Sequence, residues 1–155
     1  MTLRALGHDD EPFLIGLYAS TRPAELAALA ATPDVAAAFA RSQATLQQRA
    51  YVEAYPGASF DLVIVDGRPA GRLYVDRAAG EIRLIEIALL PAFRGVGIGT
   101  HLVGELVAEA STRGVPVVLH VDVANPAQRL YRRLGFVAAA PGEVHIPMRW
   151  DPLAA

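Results

Sequence analysis

The first third of the chain carries its apolar residues at helical spacing. A short strand is predicted over residues 2–6, and three helices over residues 9–21, 23–31 and 34–55. Phe13, Leu14, Leu17 and Tyr18 fall on one face of the first helix. Pro and Gly at residues 56 and 57 end the third helix.

After residue 57 the apolar residues gather into short runs typical of strands. The predicted strands cover residues 60–65, 70–75, 82–90, 117–123, 136–137 and 144–148. Asp66-Gly67 favours a hairpin turn, and Pro141-Gly142 separates the closing pair. Two further helices are predicted, over residues 100–113 and around Tyr131. This order of elements predicts a mixed α/β (α+β) domain with no internal linker or repeat.

The stretch between the strand at 82–90 and the helix at 100–113 is rich in glycine. It reads Arg94, Gly95, Val96, Gly97, Ile98, Gly99 and Thr100. Alternating glycines let a backbone turn approach another molecule without intervening Cβ atoms. The following helix begins with N–H groups that have no intrahelical acceptor and with the positive end of its dipole. The stretch therefore predicts a ligand that carries phosphate groups.

Two common phosphate-binding motifs do not fit this stretch. A Walker-type loop requires a lysine, and the chain contains none. A dinucleotide fingerprint requires a third glycine three residues after the second, where this chain has Leu102. Both classes of nucleotide-binding site are therefore disfavoured.

The spacing Arg94-x-x-Gly97-x-Gly99 resembles the Arg/Gln-x-x-Gly-x-Gly/Ala signature of the GNAT superfamily of acyl-CoA-dependent N-acyltransferases. A second block, Asn125, then Tyr131, then Gly135-Phe136, follows in the order that this family shows. The interval from Asn125 to Tyr131 is one residue shorter than the usual form, which weakens the role carried over to Asn125 more than that of the glycines.

The resemblance implies a GNAT-like fold, a mixed central sheet of about six to seven strands flanked by about four helices, with residues 1–155 as one domain. It also implies acetyl-CoA as co-substrate. The glycine stretch and Arg94 would hold its pyrophosphate, and Leu89 and Leu90 would offer main-chain groups to the pantetheine arm. Leu89 would also face the thioester carbonyl. Asn125 would hydrogen-bond the pantetheine or cap a helix. One of Arg129, Arg132 and Arg133 would reach the 3′-phosphate, with Arg132 as the chosen candidate; a solvated helix face is the alternative.

Two side chains are candidates for the proton transfers. Glu86 is the acid within an otherwise apolar strand, and a buried carboxylate is costly unless it has a partner or a task. We expect it to act as general base, directly or through water; pairing with Arg72 or Arg83 is the alternative. Tyr131 matches the family position that faces the CoA sulfur. Transfer of a proton from a phenol of pKa about 10 to a thiolate of pKa about 8.5 is uphill by roughly 2 kcal/mol. We therefore expect Tyr131 to hydrogen-bond the thiolate; simple packing is the alternative.

Composition narrows the class further. A formal net charge of −2 gives no reason to expect nucleic acid, and no apolar run has the length of a membrane span. There are no cysteines, and the histidines show no metal spacing.

His120 and Asp122 share a strand face and are expected to pair, with a second base or a substrate contact as the alternative for His120. We expect a cytoplasmic location and no metal.

Taken together, these patterns predict an N-acetyltransferase acting on a small-molecule or peptide amine of unknown identity. Neither cysteine nor lysine is present to form an acyl-enzyme, which favours direct attack in a ternary complex. A non-catalytic acyl-CoA-binding regulatory or interaction module is the alternative. A homodimer is compatible with the family, and an exposed closing strand near residues 144–148 would supply its surface.

Overall fold

A computed structural model of the chain describes residues 1–23, 26–27, 32–140 and 144–153. Within these ranges it contains seven strands and four α-helices. The strands are β1 (Thr2–Ala5), β2 (Ser59–Val65), β3 (Arg68–Arg77), β4 (Ile82–Leu89), β5 (Val117–Asp122), β6 (Val137–Ala138) and β7 (His145–Trp150). The helices are α1 (Glu11–Ser20), α2 (Pro33–Ala54), α3 (Ile98–Arg113) and α4 (Gln128–Arg133). Most of the predicted helix over 23–31, and the predicted turn at Pro141-Gly142, lie outside the described residues.

The strands form one mixed sheet in the order β1-β2-β3-β4-β5-β7-β6. The pair β4 and β5 is parallel, whereas β5 with β7 and β6 with β7 are antiparallel. The predicted α/β class, with six to seven strands and about four helices, is confirmed.

The chain divides into two compact units. The N-terminal unit comprises Met1–Tyr74 and Ile87–Phe93, and the C-terminal unit comprises Val75–Glu86 and Arg94–Ala155. Strands β3 and β4 therefore each contribute residues to both units.

The N-terminal unit packs α1 against α2. Tyr18 of α1 and Ala40 and Ala44 of α2 form a buried cluster, and small alanines let the two helices approach closely. The side-chain oxygen of Thr32 caps α2 by accepting a hydrogen bond from the Val35 N–H at 3.3 Å. Apolar spacing in the sequence predicted both helices correctly.

Helix α2 is also fixed to strand β3 by polar contacts inside the N-terminal unit. The Arg72 guanidinium donates to the Gln47 side-chain oxygen at 2.8 Å, and the Tyr74 hydroxyl donates to the Gln48 side-chain oxygen at 2.6 Å. Arg72 and Tyr74 are buried, with exposed fractions of 4% and 0%. The Tyr51 ring meets the Tyr74 ring edge to face at a centroid distance of 5.6 Å. These contacts hold β3 in a fixed position on the helix.

The C-terminal unit buries one face of α3 and alternate residues of β5. The buried residues of α3 are Leu102, Val103, Leu106 and Ala110, and those of β5 are Val117, Leu119 and Val121. The helix predicted over residues 100–113 and the strand predicted over residues 117–123 are both present, each with one buried face.

The expected exposed edge near residues 144–148 is wrong. Strand β7 pairs with β5 along its whole length on one side and with β6 at Met148 and Arg149 on the other. The short β6 therefore takes the edge position, because the chain turns back after Phe136 to cover β7.

Candidate active site

The glycine stretch forms a turn that opens directly into α3. Gly95 has φ 73° and Gly97 has φ 89°, both in the left-handed region that strongly favours glycine. A Cβ built at either position would meet no atom within 4 Å. The backbone conformation, and not crowding by neighbouring atoms, therefore explains these two glycines.

Helix α3 begins at Ile98, two residues earlier than predicted. Ile98, Gly99 and Thr100 are thus its first turn, whose N–H groups point out of the helix end. The first turn contains no acidic side chain that would offset the positive end of the dipole. The turn and helix end suit an anion.

Gly99 lies where α3 contacts the helix that carries Tyr131. A Cβ at this position would lie 3.4 Å from the Leu130 Cδ1, which is ordinary van der Waals contact. Unlike Gly95 and Gly97, Gly99 has no positive φ.

The end of β4 is held by backbone contacts. The Leu90 N–H donates to the Ala70 carbonyl at 2.8 Å, and the Leu90 carbonyl accepts from the Phe93 N–H at 2.9 Å. Leu90 was expected to offer main-chain groups to the pantetheine arm. The Leu90 N–H is therefore already paired. Its carbonyl oxygen has a second lone pair, which can still accept a hydrogen bond from a ligand.

Gly71 of β3, which the sequence analysis did not select, lies against the end of β4. A Cβ at Gly71 would overlap the Ala88 carbonyl oxygen and would lie 2.9 Å from the Leu89 Cα. A glycine inside a strand pattern often marks such a close backbone approach, and this signal was present in the predicted strand over 70–75.

Glu86 and Tyr131 are brought together in the C-terminal unit. Tyr131 is buried, with an exposed fraction of 5%, and its ring lies 5.7 Å from the Phe136 ring. Burial, and in addition the charge of the Glu86 carboxylate, raise the pKa of Tyr131 to about 12. The Glu86 side chain is only partly buried, so its carboxylate is less desolvated than the apolar strand pattern suggested.

Arg83 is not the partner of Glu86, which the sequence analysis gave as one alternative to a catalytic role for Glu86. Residues three apart on a strand point to opposite faces of the sheet. The Arg83 guanidinium instead contacts Glu81 at 3.4 Å and the His120 Nδ1 at 3.2 Å.

The expected pair of His120 with Asp122 is replaced by other contacts. The Asp122 carboxylate accepts from the Ala124 N–H at 2.8 Å, whereas the His120 ring contacts Arg83. Both side chains are exposed. The contacts of a strand residue depend on its neighbouring strand, which the local sequence does not specify.

Asn125 stabilises the turn that leads into α4. Its side-chain oxygen accepts from the Ala127 N–H at 2.9 Å, and its own N–H donates to the Asp122 carbonyl at 2.9 Å. The alternative that Asn125 caps a helix is therefore observed, in the form of a turn just before α4. The contact of Asn125 with the pantetheine stays a prediction.

The arginines of α4 lie on its solvent side. Arg129, Arg132 and Arg133 are all exposed. Arg94, beside the glycine turn, is exposed as well. Each of these side chains is accessible to an anionic ligand.

Strands β4 and β5 pair only over part of their length within the C-terminal unit. Ile82, Arg83 and Leu84 pair with Val117, Val118 and Leu119, and the register ends there. Both strands continue beyond these pairs, to Glu86 in this unit and to Asp122. A strand edge beyond the last pair is where an extended ligand with amide groups can add.

Two further features of the described residues bear on the class of protein. No three His, Asp or Glu side chains among them are grouped so that they could hold a metal ion. None of the helices in the described ranges has both the length and the apolar character needed to span a bilayer.

A glycine turn opening a helix, a parallel strand pair that ends early, and a carboxylate near a buried phenol agree with the acyltransferase class that the sequence predicted. Residues 22–136 match the model of the acetyltransferase (GNAT) family. The chain belongs to this family, and the resemblance seen in its sequence is confirmed.

A curated relative supports this assignment over a shorter region. The chain is similar to the [ribosomal protein bS18]-alanine N-acetyltransferase of Haemophilus influenzae, with 39% identity over 57 residues. The match covers 36% of this chain and 39% of that protein.

Solved structures share the fold over nearly the full length. A protein of Pyrococcus horikoshii aligns with a TM-score of 0.72 and 17% identity, covering 99% of each chain. The PaiA N-acetyltransferase of Thermoplasma acidophilum, solved with coenzyme A, aligns with a TM-score of 0.69 and 17% identity, covering 97% of this chain and 98% of that one.

Proposed function

We propose that this protein transfers the acetyl group of acetyl-CoA to a primary amine by direct attack in a ternary complex. The observation that carries the proposal is the turn at Gly95 and Gly97, which opens α3 without an acid in its first turn. Such a helix end binds phosphate. The solved relative that contains coenzyme A supports the choice of cofactor.

The acetyl-CoA contacts are distributed along the glycine stretch and the end of β4. The N–H groups from Gly95 to Thr100, with Arg94, hold the pyrophosphate. The pantetheine arm adds along β4 past the last pair with β5, near Asn125. Arg132 is our candidate for the 3′-phosphate, since it is exposed on α4.

The reaction needs a base, an oxyanion donor and a group that faces the departing sulfur. Glu86 takes the proton of the acceptor amine, directly or through water. The amine nitrogen bonds to the thioester carbon while the Leu89 N–H stabilises the oxyanion. The carbon–sulfur bond then breaks, and the thiolate leaves beside the Tyr131 hydroxyl.

Tyr131 acts as a hydrogen-bond donor to the leaving sulfur and does not give up its proton. With a pKa of about 12, proton transfer to a thiolate of pKa about 8.5 would be uphill by about 5 kcal/mol. The thiolate takes its proton from solvent or from the protonated Glu86. The raised pKa keeps the donor in place throughout turnover.

The acceptor class is a primary amine on a peptide or on a small molecule. The curated relative is named for an alanine of a ribosomal protein, so peptide α-amines belong in the first set of acceptors to be tested. We further propose that both units act as one domain, because the family match spans residues of both, and that the protein works in the cytoplasm.

Turnover can be tested by following thiol release from acetyl-CoA with a panel of peptide α-amines, ε-amines and small primary amines. Release that depends on one acceptor class, with a mass gain of one acetyl group on that acceptor, is the expected result. Acetyl-CoA binding without release across the panel would favour the alternative of a non-catalytic acyl-CoA-binding module.

A further inference from the structure

The backbone of β3 lies against the end of β4 more closely than any side chain would allow. A Cβ at Gly71 would overlap the Ala88 carbonyl oxygen and would lie 2.9 Å from the Leu89 Cα and 2.8 Å from the Leu89 Cδ2. Two of these three atoms belong to the backbone, which cannot rotate away as a flexible side chain can. Gly71 therefore sets how near Leu89 lies to β3.

Ala70, the residue before Gly71, makes a hydrogen bond to the end of β4. The Ala70 carbonyl accepts the Leu90 N–H at 2.8 Å, and Ala70 is fully buried. Gly71 thus permits the close approach of Leu89 to β3, and the hydrogen bond from the Leu90 N–H to the Ala70 carbonyl maintains it. Its main chain has little freedom to move relative to β3.

Strand β3 itself is anchored on its other side. Immediately after Gly71, Arg72 and Tyr74 bond to Gln47 and Gln48 of α2 at 2.8 and 2.6 Å. The anchoring side chains are buried. Helix α2 therefore holds β3 in place, and β3 in turn holds the main chain of Leu89.

Gly71 differs in this respect from glycines elsewhere in the described chain. A Cβ at Gly57 in the same unit, or at Gly80, would meet no atom within 4 Å. Neither of them has a positive φ. An alanine is thus tolerated at Gly57 and excluded at Gly71 by the backbone of β4.

We propose that Gly71, with the Ala70 carbonyl, is a positioning residue for the oxyanion donor Leu89. This inference rests on the proposed acetyl transfer and assigns a residue that never touches the substrate. Gly71→Ala displaces Ala88 and Leu89 and moves the Leu89 N–H away from the thioester carbonyl. A displacement of about 1 Å at a reacting group costs about 10²-fold in rate.

The direct readout is the carbonyl stretch of acetyl-CoA labelled with ¹³C at the carbonyl, measured by isotope-edited difference infrared spectroscopy on the bound complex. A hydrogen bond from Leu89 lowers this frequency relative to free acetyl-CoA. We expect Gly71→Ala to return it toward the free value and to lower kcat about 10²-fold, while coenzyme A affinity stays near wild type. Gly57→Ala is the matched control and should behave as wild type.

A second variant guards against misfolding of Gly71→Ala. Replacing the Leu90 amide by an ester removes the N–H that Ala70 accepts and leaves every side chain unchanged. We expect the same direction of frequency change in the bound complex. Urea unfolding shows for each variant whether the fold is retained.

The outcomes separate this inference from the proposed function. A wild-type protein that binds acetyl-CoA with a lowered carbonyl frequency, together with folded variants that keep that frequency, would overturn the positioning role alone. A wild-type protein that binds no acetyl-CoA would overturn the proposed function and this inference with it.

Discussion

At the scale of single residues, Tyr131 shows how the fold changes the chemistry of a side chain. Its phenol is buried and lies within the influence of the Glu86 carboxylate, and both effects disfavour the phenolate. Its pKa therefore rises from the usual 10.0 of a tyrosine to about 12. The phenolic proton of Tyr131 therefore stays on its oxygen at every pH well below 12.

This shift is measurable in an alkaline absorbance titration at 295 nm. Wild-type protein should show a phenolate transition near pH 12 that Tyr131→Phe lacks, whereas Tyr55→Phe should retain it. Because the folded pKa is raised, the stability tied to the neutral phenol is intact below pH 10 and is lost as the pH rises toward 12. A difference spectrum with a transition near pH 10 would contradict the burial of this phenol.

Tyr131→Phe should also slow acetyl transfer while coenzyme A affinity stays close to wild type, because the hydroxyl meets the sulfur only as it departs. We expect a fall in kcat of about 10-fold or more, from the loss of one hydrogen bond to a developing charge. Wild-type kcat in the variant would assign Tyr131 to packing.

Glu86→Gln tests the base and the coupling to Tyr131 in one variant. Turnover at neutral pH should fall about 10²-fold or more if Glu86 accepts the amine proton. The same substitution removes the nearby negative charge, so the pKa of Tyr131 should move down from about 12. A small rate loss that does not depend on pH would point to a structural carboxylate.

The glycines of the turn, Glu86 and Tyr131 were selected from residue type, local pattern and the family resemblance, and their roles in binding and catalysis stay predictions. Gly71 was not selected, because the reason for it lies on another strand, and the pairing of Arg83 with His120 was missed for the same cause.

At the scale of elements, the turn into α3 depends on backbone conformation. Gly97 takes the N-cap position with φ 89°, and no side chain caps the helix there. Sequence rules look for Ser, Thr, Asp or Asn at this position, which explains why the predicted start was two residues late. The N–H groups of the first turn are therefore left without a side-chain cap.

Gly97→Ala should cost about 1 kcal/mol of folding free energy, because a side chain is strained at a positive φ. Gly97→Glu should abolish coenzyme A binding, since it places a negative charge where phosphate would lie. Gly80→Ala is the control, at an open position without a positive φ. Unchanged coenzyme A affinity in Gly97→Glu would refute the assignment of the turn.

At the scale of the whole molecule, an ion pair far along the chain from the glycine turn joins Arg4 of β1 to Asp10, the residue just before α1. Both oxygens of Asp10 accept from Arg4, at 2.9 and 3.0 Å, and one also accepts from the Gly7 N–H at 2.7 Å. The Arg4 hydrogen bonds, followed by that of Gly7, lower the pKa of Asp10 below its usual 3.8. The folded protein thus favours the carboxylate.

Asp10→Asn should lower the urea midpoint at pH 7, because the stability from a lowered pKa is present above pH 3.8. That difference from wild type should shrink as the pH falls below 3.8, where the wild-type carboxyl also takes up a proton. Asp9→Asn, at an exposed neighbouring position, is the control. An equal loss at pH 7 and pH 2.5 would show that the charge of Asp10 is not responsible.

The overall architecture could be predicted because its elements are signalled locally. Strand alternation in β5, the apolar face of α3 and the spacing of the two motif blocks all depend on near neighbours in the sequence. Strand order beyond the hairpins does not, and so β7 was expected at an edge that β6 occupies. The acceptor stays unnamed for a similar reason, because its recognition depends on side chains brought together from distant segments.

The central claim is that the glycine turn holds acyl-CoA, and calorimetric titration tests it most directly. Acetyl-CoA, NADH and ATP would each be titrated into the wild-type protein and into Gly97→Glu. We predict micromolar binding of acetyl-CoA to the wild type alone. Absence of acetyl-CoA binding to the wild type, or equal binding to Gly97→Glu, would contradict the account.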